Sequence, residues 1–243
     1  MPILTSTNAH GAVITIDRQE RRNALNLASL EALHEAVTAA VQGGSRTLVL
    51  TGAGGHFCAG ADLTELEDVS FTQRLAEVLR HLAAVPITTI AAIDGSCMGL
   101  GMQLAMACDV RVVDADARFA IPVAKLGLMV DHWTVDRARR LFGEGAARHL
   151  LLTAAVLDSD DAWRLGFAQV RGDLEAALSL AARTSALAPL SQAGSKLGLE
   201  ASAEDETAMA DYAAAFATAW ASADLGEGQR AFTERRTPRF EGR

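Results

Sequence analysis

Apolar side chains change their spacing repeatedly along this chain, and each change marks an element. The short β-branched run AVITID (Ala12 to Asp17) predicts a strand. Leu30, Leu33, Val37 and Val41 then recur three and four apart, the spacing of one helix face, which predicts an amphipathic helix from Leu27 to Val41. RTLVLTG (Arg46 to Gly52) reads as a buried strand that opens into the loop TGAGGHFCAGAD. Leu75, Val78, Leu79 and Leu82 place a second helix from about Phe71 to Ala84, stopped ahead of Pro86. ITTIAAI (Ile87 to Ile93) is another strand, feeding the glycine-rich stretch GSCMGLGMQLAMACD and a helix from Gly99 to Cys108.

Strand, glycine loop and helix thus occur twice, which predicts an α/β architecture with ligand-binding groups at strand ends. After about Arg171 the pattern is helical throughout. Met209, Tyr212 or Ala213, Phe216 and Trp220 form an apolar stripe suited to packing on the main domain or on a neighbouring subunit.

Composition narrows the function classes. At 243 residues and 50% hydrophobic, the chain can bury one large domain, with room for a small appendage. A net charge of −8 argues against a general binder of nucleic acid or acidic membrane, while leaving room for a local basic patch toward a phosphorylated ligand. No leader-like segment and no apolar run of about 20 residues is present, so a cytoplasmic protein without a transmembrane segment is expected. Cys58, Cys97 and Cys108 are odd in number and lack C-x-x-C spacing, which predicts buried thiols. The histidines show no metal-binding helical spacing, so no metal site is expected. GLGMQL has Leu104 where a dinucleotide fingerprint needs its third glycine, TGAGG is not followed by the lysine of a phosphate-binding loop, and no G-x-S-x-G elbow occurs.

Taken in order, VITIDRQERRNALN, LTGAGGHFCAGADL, IDGSCMGLGMQLAMACDVRVV, LLLTAAVLDSDDAWRLGFAQ and GQRAFTERRTPRFEG resemble the enoyl-CoA hydratase/isomerase (crotonase) family over nearly the whole chain. The resemblance implies a ClpP-like spiral of ββα units over residues 1–188 with the acyl-CoA site. It also implies a helical region over 189–243 used in trimer contacts and as pocket cover. It implies an oxyanion hole built from the backbone N–H groups of Ala61 and Leu100, fixed donors for the charge that develops on a thioester oxygen. CoA contacts fall, by the same match, on Arg22, Ala24, Ala59 and Leu63, with Arg235 serving a neighbouring subunit. No separate cofactor is implied; acyl-CoA is the ligand or substrate.

Adding water to an enoyl thioester needs two carboxylates, one to take a proton from water and one to protonate the α-carbon. The matching positions hold Gln103 and Val123, neither of which transfers a proton at neutral pH. In this the chain resembles the actinobacterial paralogues of the family that lack the glutamate pair. Asp131 matches a position where some family isomerases keep an acid, and it would equally cap the helix that DHWTVDRARRL predicts. Trp133 is expected as an apolar wall for the acyl chain or equally as an ordinary core or interface tryptophan. Two functions stay open: a homotrimeric or hexameric binder that delivers long-chain acyl-CoA to fatty-acid synthesis enzymes or cell-envelope lipid synthesis, or an isomerase, thioesterase or hydratase using Asp131 as acid/base.

Overall fold

A computed structural model describes residues 2–64, 69–202 and 204–243. The chain opens with an antiparallel hairpin, β1 (Ile3–Asn8) and β2 (Gly11–Ile16), and then forms α1 (Leu27–Gln42). The side chain of Asn26 accepts from the Ser29 N–H and caps α1, and Leu30, Leu33 and Val37 bury its predicted face. Next come β3 (Thr47–Gly52), α2 (Val69–Ala84), β4 (Thr88–Ile93), β5 (Ser96–Met98) and α3 (Leu100–Ala107). β6 (Val110–Val113), β7 (Arg118–Ala120) and a 3-10 turn at Pro122–Leu126 lead to α4 (His132–Thr153), which breaks at Gly143. β8 (Leu157–Asp158), α5 (Ser159–Arg164), β9 (Val170–Arg171) and α6 (Leu174–Ser185) complete the core, before α7 (Pro189–Glu200), α8 (Glu206–Ala221) and α9 (Ala223–Glu234).

The larger sheet runs β1-β2-β3-β4-β6-β9, parallel from β2 onward. The smaller sheet, β5-β7-β8, collects the second strand of successive turns. β4-β5-α3 and β6-β7-α4 each place one strand in each sheet and then a helix, the ββα unit expected of a spiral. Parallel strands buried on both faces read as unbroken apolar runs, and β3 and β4 are buried over almost their whole length.

α7 is pinned to this core through Lys196, whose ammonium sits 2.8 Å from Asp109 and 3.1 Å from the Ile87 carbonyl. α8 lies on α7, with Gly198 leaving no room for a side chain beside the Tyr212 ring. The apolar stripe of α8 is not covered by the main domain: Phe216 and Trp220 are exposed, their rings 5.8 Å apart. Among the described residues, no helix is long and apolar enough to cross a membrane.

Candidate active site

Two chain segments meet at the carboxyl ends of β3 and β4. Cys58 N–H donates to the Ser96 carbonyl and Met98 N–H to the Cys58 carbonyl, both at 2.9 Å, so the loop after β3 runs beside β5 as a parallel bridge. Gly99, at φ 52°, turns the chain into α3. Gly101 then passes so close to the first loop that a Cβ there would sit 2.3 Å from the Cys58 carbonyl oxygen. This approach brings Ala61 and Leu100 to one cavity. Leu100 is the first residue of α3, so its N–H has no intrahelical acceptor, and among the described residues neither it nor the Ala61 N–H donates to a protein group.

α3 is buried at every position, and its opposite end is answered by charge. Arg111 donates to the carbonyls of Ala105 and Cys108, and Arg137 to that of Met106. Burial pulls the Arg111 pKa down to about 10, still high enough to keep the cation. Cations on the C-terminal carbonyls complement the helix dipole, whose positive end carries Leu100.

Two side chains that the sequence reading did not single out hold the first loop in place. Asn23, fully buried at φ 61°, donates to the carbonyls of Ala53 and His56 and accepts from the Arg18 N–H. Asp62, next to Ala61, pairs with Arg18 at 3.1 Å and accepts from the Thr64 hydroxyl at 2.7 Å. The Thr64 hydroxyl, ahead of Arg18, holds the Asp62 carboxyl below its ordinary pKa. Cys58 in the same loop is no nucleophile, since burial pushes its thiol up to about 12.

The cavity holds about 200 Å³. Phe71, Leu75 and Leu79 of α2 face Leu100, Val123 and Val130, so its walls are mostly apolar. Gln103 lines it one turn into α3 and is 6% exposed. Its Nε2 donates to the Thr134 hydroxyl at 2.7 Å, and that hydroxyl donates to Asp131 Oδ1 at 2.6 Å. Asp131 lines the cavity and also caps α4, accepting from the Thr134 N–H; its Oδ2 lies 4.0 Å from Arg80. Both readings offered for this residue therefore remain at one position.

Ala61 and Leu100, their backbone N–H groups unpaired among the described residues, thus line one mostly apolar cavity. Residues 6–243 match the family model described as enoyl-CoA hydratase/isomerase. The chain belongs to that family, the crotonases. It is 43% identical over 242 residues to the protein named probable enoyl-CoA hydratase echA6 of Mycobacterium leprae, covering 97% of this chain and 98% of that one. The mouse mitochondrial methylglutaconyl-CoA hydratase is 32% identical over 98% of this chain and 82% of its own length. Among solved structures, the enoyl-CoA hydratase of Bacillus anthracis superposes with a TM-score of 0.92 at 26% identity, each chain covered in full. The fold is the crotonase fold, and this protein is an acyl-CoA-handling crotonase.

Within this crotonase, Ala59, Leu63, Gln103, Val123 and Asp131 line the same cavity as the two donors. Arg22 and Ala24 do not line it but belong to the adjoining strap: the Arg22 carbonyl accepts from the Ala59 N–H, and the Ala24 carbonyl accepts from Arg18. Arg22 is exposed and left-handed at φ 49°. Arg235 caps α9 on the surface and is not among the residues around the cavity.

Trp133 lies outside this cavity, in an adjacent groove of about 220 Å³ with Pro86 and Leu197, its ring 5.4 Å from the Arg137 guanidinium. The reason is helical direction. Asp131, the N-cap of α4, faces the cavity, whereas Trp133, two residues on, points to another side of the helix.

Proposed function

We propose that this crotonase binds long-chain acyl-CoA without adding water to it, and delivers or sequesters the thioester for fatty-acid or cell-envelope lipid synthesis as a homotrimer or hexamer. The observation that carries the reading is the pairing, in one cavity, of two free oxyanion donors with Gln103 and Val123. The thioester carbonyl would be held and polarised by the Ala61 and Leu100 N–H groups, but no carboxylate stands at either matched position to move protons. A general acid or base contributes about 10²–10⁴-fold, so the loss of both suppresses hydration by several orders of magnitude.

A cavity of about 200 Å³ is smaller than the roughly 300–1,000 Å³ typical of ligand pockets, so a long chain needs further space. We place the rest of the chain in the adjacent groove at Trp133, whose Arg80 lies 4.0 Å from Asp131 of the cavity. The competing reading, isomerisation or thioester hydrolysis, is favoured by one observation: among the described residues, Asp131 brings a carboxyl group to the cavity lining. The relatives' names favour a hydratase, but a name follows overall similarity, whereas the reaction depends on the groups at the site.

Calorimetric titration with saturated acyl-CoAs of increasing length, run beside a hydration assay on the matching enoyl-CoAs, separates these readings. The expected result is affinity that rises with chain length, by at most about 0.8 kcal/mol per buried methylene, with hydration at background. Family-like hydration by the unaltered protein overturns the proposal.

A further inference from the structure

Gln103, Thr134 and Asp131 form a hydrogen-bond chain whose direction is fixed by counting protons. A hydroxyl carries a single hydrogen, and that of Thr134 points to Asp131 Oδ1 at 2.6 Å. Toward Gln103 the Thr134 oxygen can therefore only accept, so Gln103 must present its NH₂ group, as it does at 2.7 Å. The other end of the planar amide, Oε1, is then left toward the cavity that Gln103 lines, and among the described residues it has no protein donor. The chain is rigid. Thr134 is fully buried and Gln103 nearly so, and Asp131 Oδ1 is held by the Thr134 N–H as well as by its hydroxyl.

A buried acceptor that meets only alkyl groups forfeits its hydrogen bond to water, whereas a ligand donor restores one. We propose that Thr134 and Asp131 are positioning residues that lock the Gln103 carbonyl oxygen as an inward acceptor, so that the site prefers acyl thioesters bearing a hydroxyl near the thioester over plain alkyl ones. This inference rests on the acyl-CoA-binding reading above and adds a polar discrimination to it.

The test compares 3-hydroxyacyl-CoA with saturated acyl-CoA of equal length on the full-length protein. Wild type is expected to favour the hydroxylated ligand about tenfold, the effect of one added hydrogen bond in a buried site. Thr134→Val abolishes the preference by freeing the amide, while Thr134→Ser retains it. Gln103→Leu, which keeps side-chain bulk, abolishes it as well, read as the ratio of the two affinities. Should valine disturb α4, Thr134→Ala removes the hydroxyl without a branched group and gives the same readout. Equal affinities in wild type, or a preference that survives both loss of the Thr134 hydroxyl and Gln103→Leu, overturns the relay while leaving acyl-CoA binding intact. Failure of both ligands to bind overturns the acyl-CoA reading and this inference with it.

Discussion

Two walls of the cavity are built on different principles. On one side Ala61 and Leu100 present main-chain N–H groups, and their positions follow from backbone approach: Gly99 at φ 52°, and Gly101 within reach of the Cys58 carbonyl. On the other side, Val123 in a 3-10 turn and Asp131 at a helix cap present side chains, next to the exposed Leu126 and Met129. A binding function carried by the main chain survives almost any side-chain change that preserves the turn. Proton transfer is carried by particular side chains and is lost when they are replaced. On the proposed reading, that contrast accounts for a chain that keeps the donors while Gln103 and Val123 stand at the matched acid/base positions.

The sharpest way to break the contrast is Gly101→Ala. Its Cβ meets the Cys58 carbonyl oxygen at 2.3 Å, so the two segments must separate. A loss of about 3 kcal/mol or more in stability is expected by denaturant unfolding, together with loss of acyl-CoA binding. Asp62→Ala comes next. It removes the carboxylate partner of Arg18, whose side chain is 14% exposed and keeps its bond to the Ala24 carbonyl, and it releases the loop at Ala61. A cost of about 2–3 kcal/mol is expected, at the low end for a buried pair because Arg18 keeps some contact with water.

On the opposite wall Val123→Ala should cost no more than about 1 kcal/mol, since the residue is only partly buried and lies at a cavity. Short acyl-CoAs should still bind. A larger loss from Val123→Ala than from Gly101→Ala would reverse the comparison.

The smallest expected effect concerns α2, which supplies a third wall. Its His81 ring lies 4.4 Å from that of His34 on α1 and contacts the Thr38 hydroxyl. Burial foremost, then His34 and Arg74, lower the His81 pKa. The unfolded chain therefore binds the proton more readily, near the ordinary histidine value of about 6.5. This contribution to stability is present above that pH and is lost as pH falls through the lowered folded value. A modest fall in melting temperature between about pH 7 and 5 is expected, and His81→Gln should flatten it.

How far this was legible in the sequence follows from where the information sits. The glycine-rich loops could be read because glycine marks tight turns and close backbone approach, while Ala61 and Leu100 within them came only from the family resemblance; α1 and α2 could be read from an apolar period that runs over whole turns. β5, β7, β8 and β9 are two or three residues long and carry no period to read. Asn23 and Asp62 escaped because their partners are distant: Asn23 reaches Ala53 and His56, and Asp62 reaches Arg18. Which side of α4 Trp133 takes could not be read from its nearness to Asp131, because neighbours along a helix face different sides.

The single hydrogen of Thr134 also bears on reversibility over evolutionary time. Glutamine and glutamate codons are neighbours in the genetic code, so a carboxylate at position 103 is an accessible change. It would arrive facing a hydroxyl already committed to Asp131, with two acceptors competing for one proton and Val123 still apolar across the cavity. Selection would see no gain from that first step. Return to a working acid/base pair therefore requires coordinated change at 103, 123 and the Thr134–Asp131 cap, a path along which loss is easier than recovery.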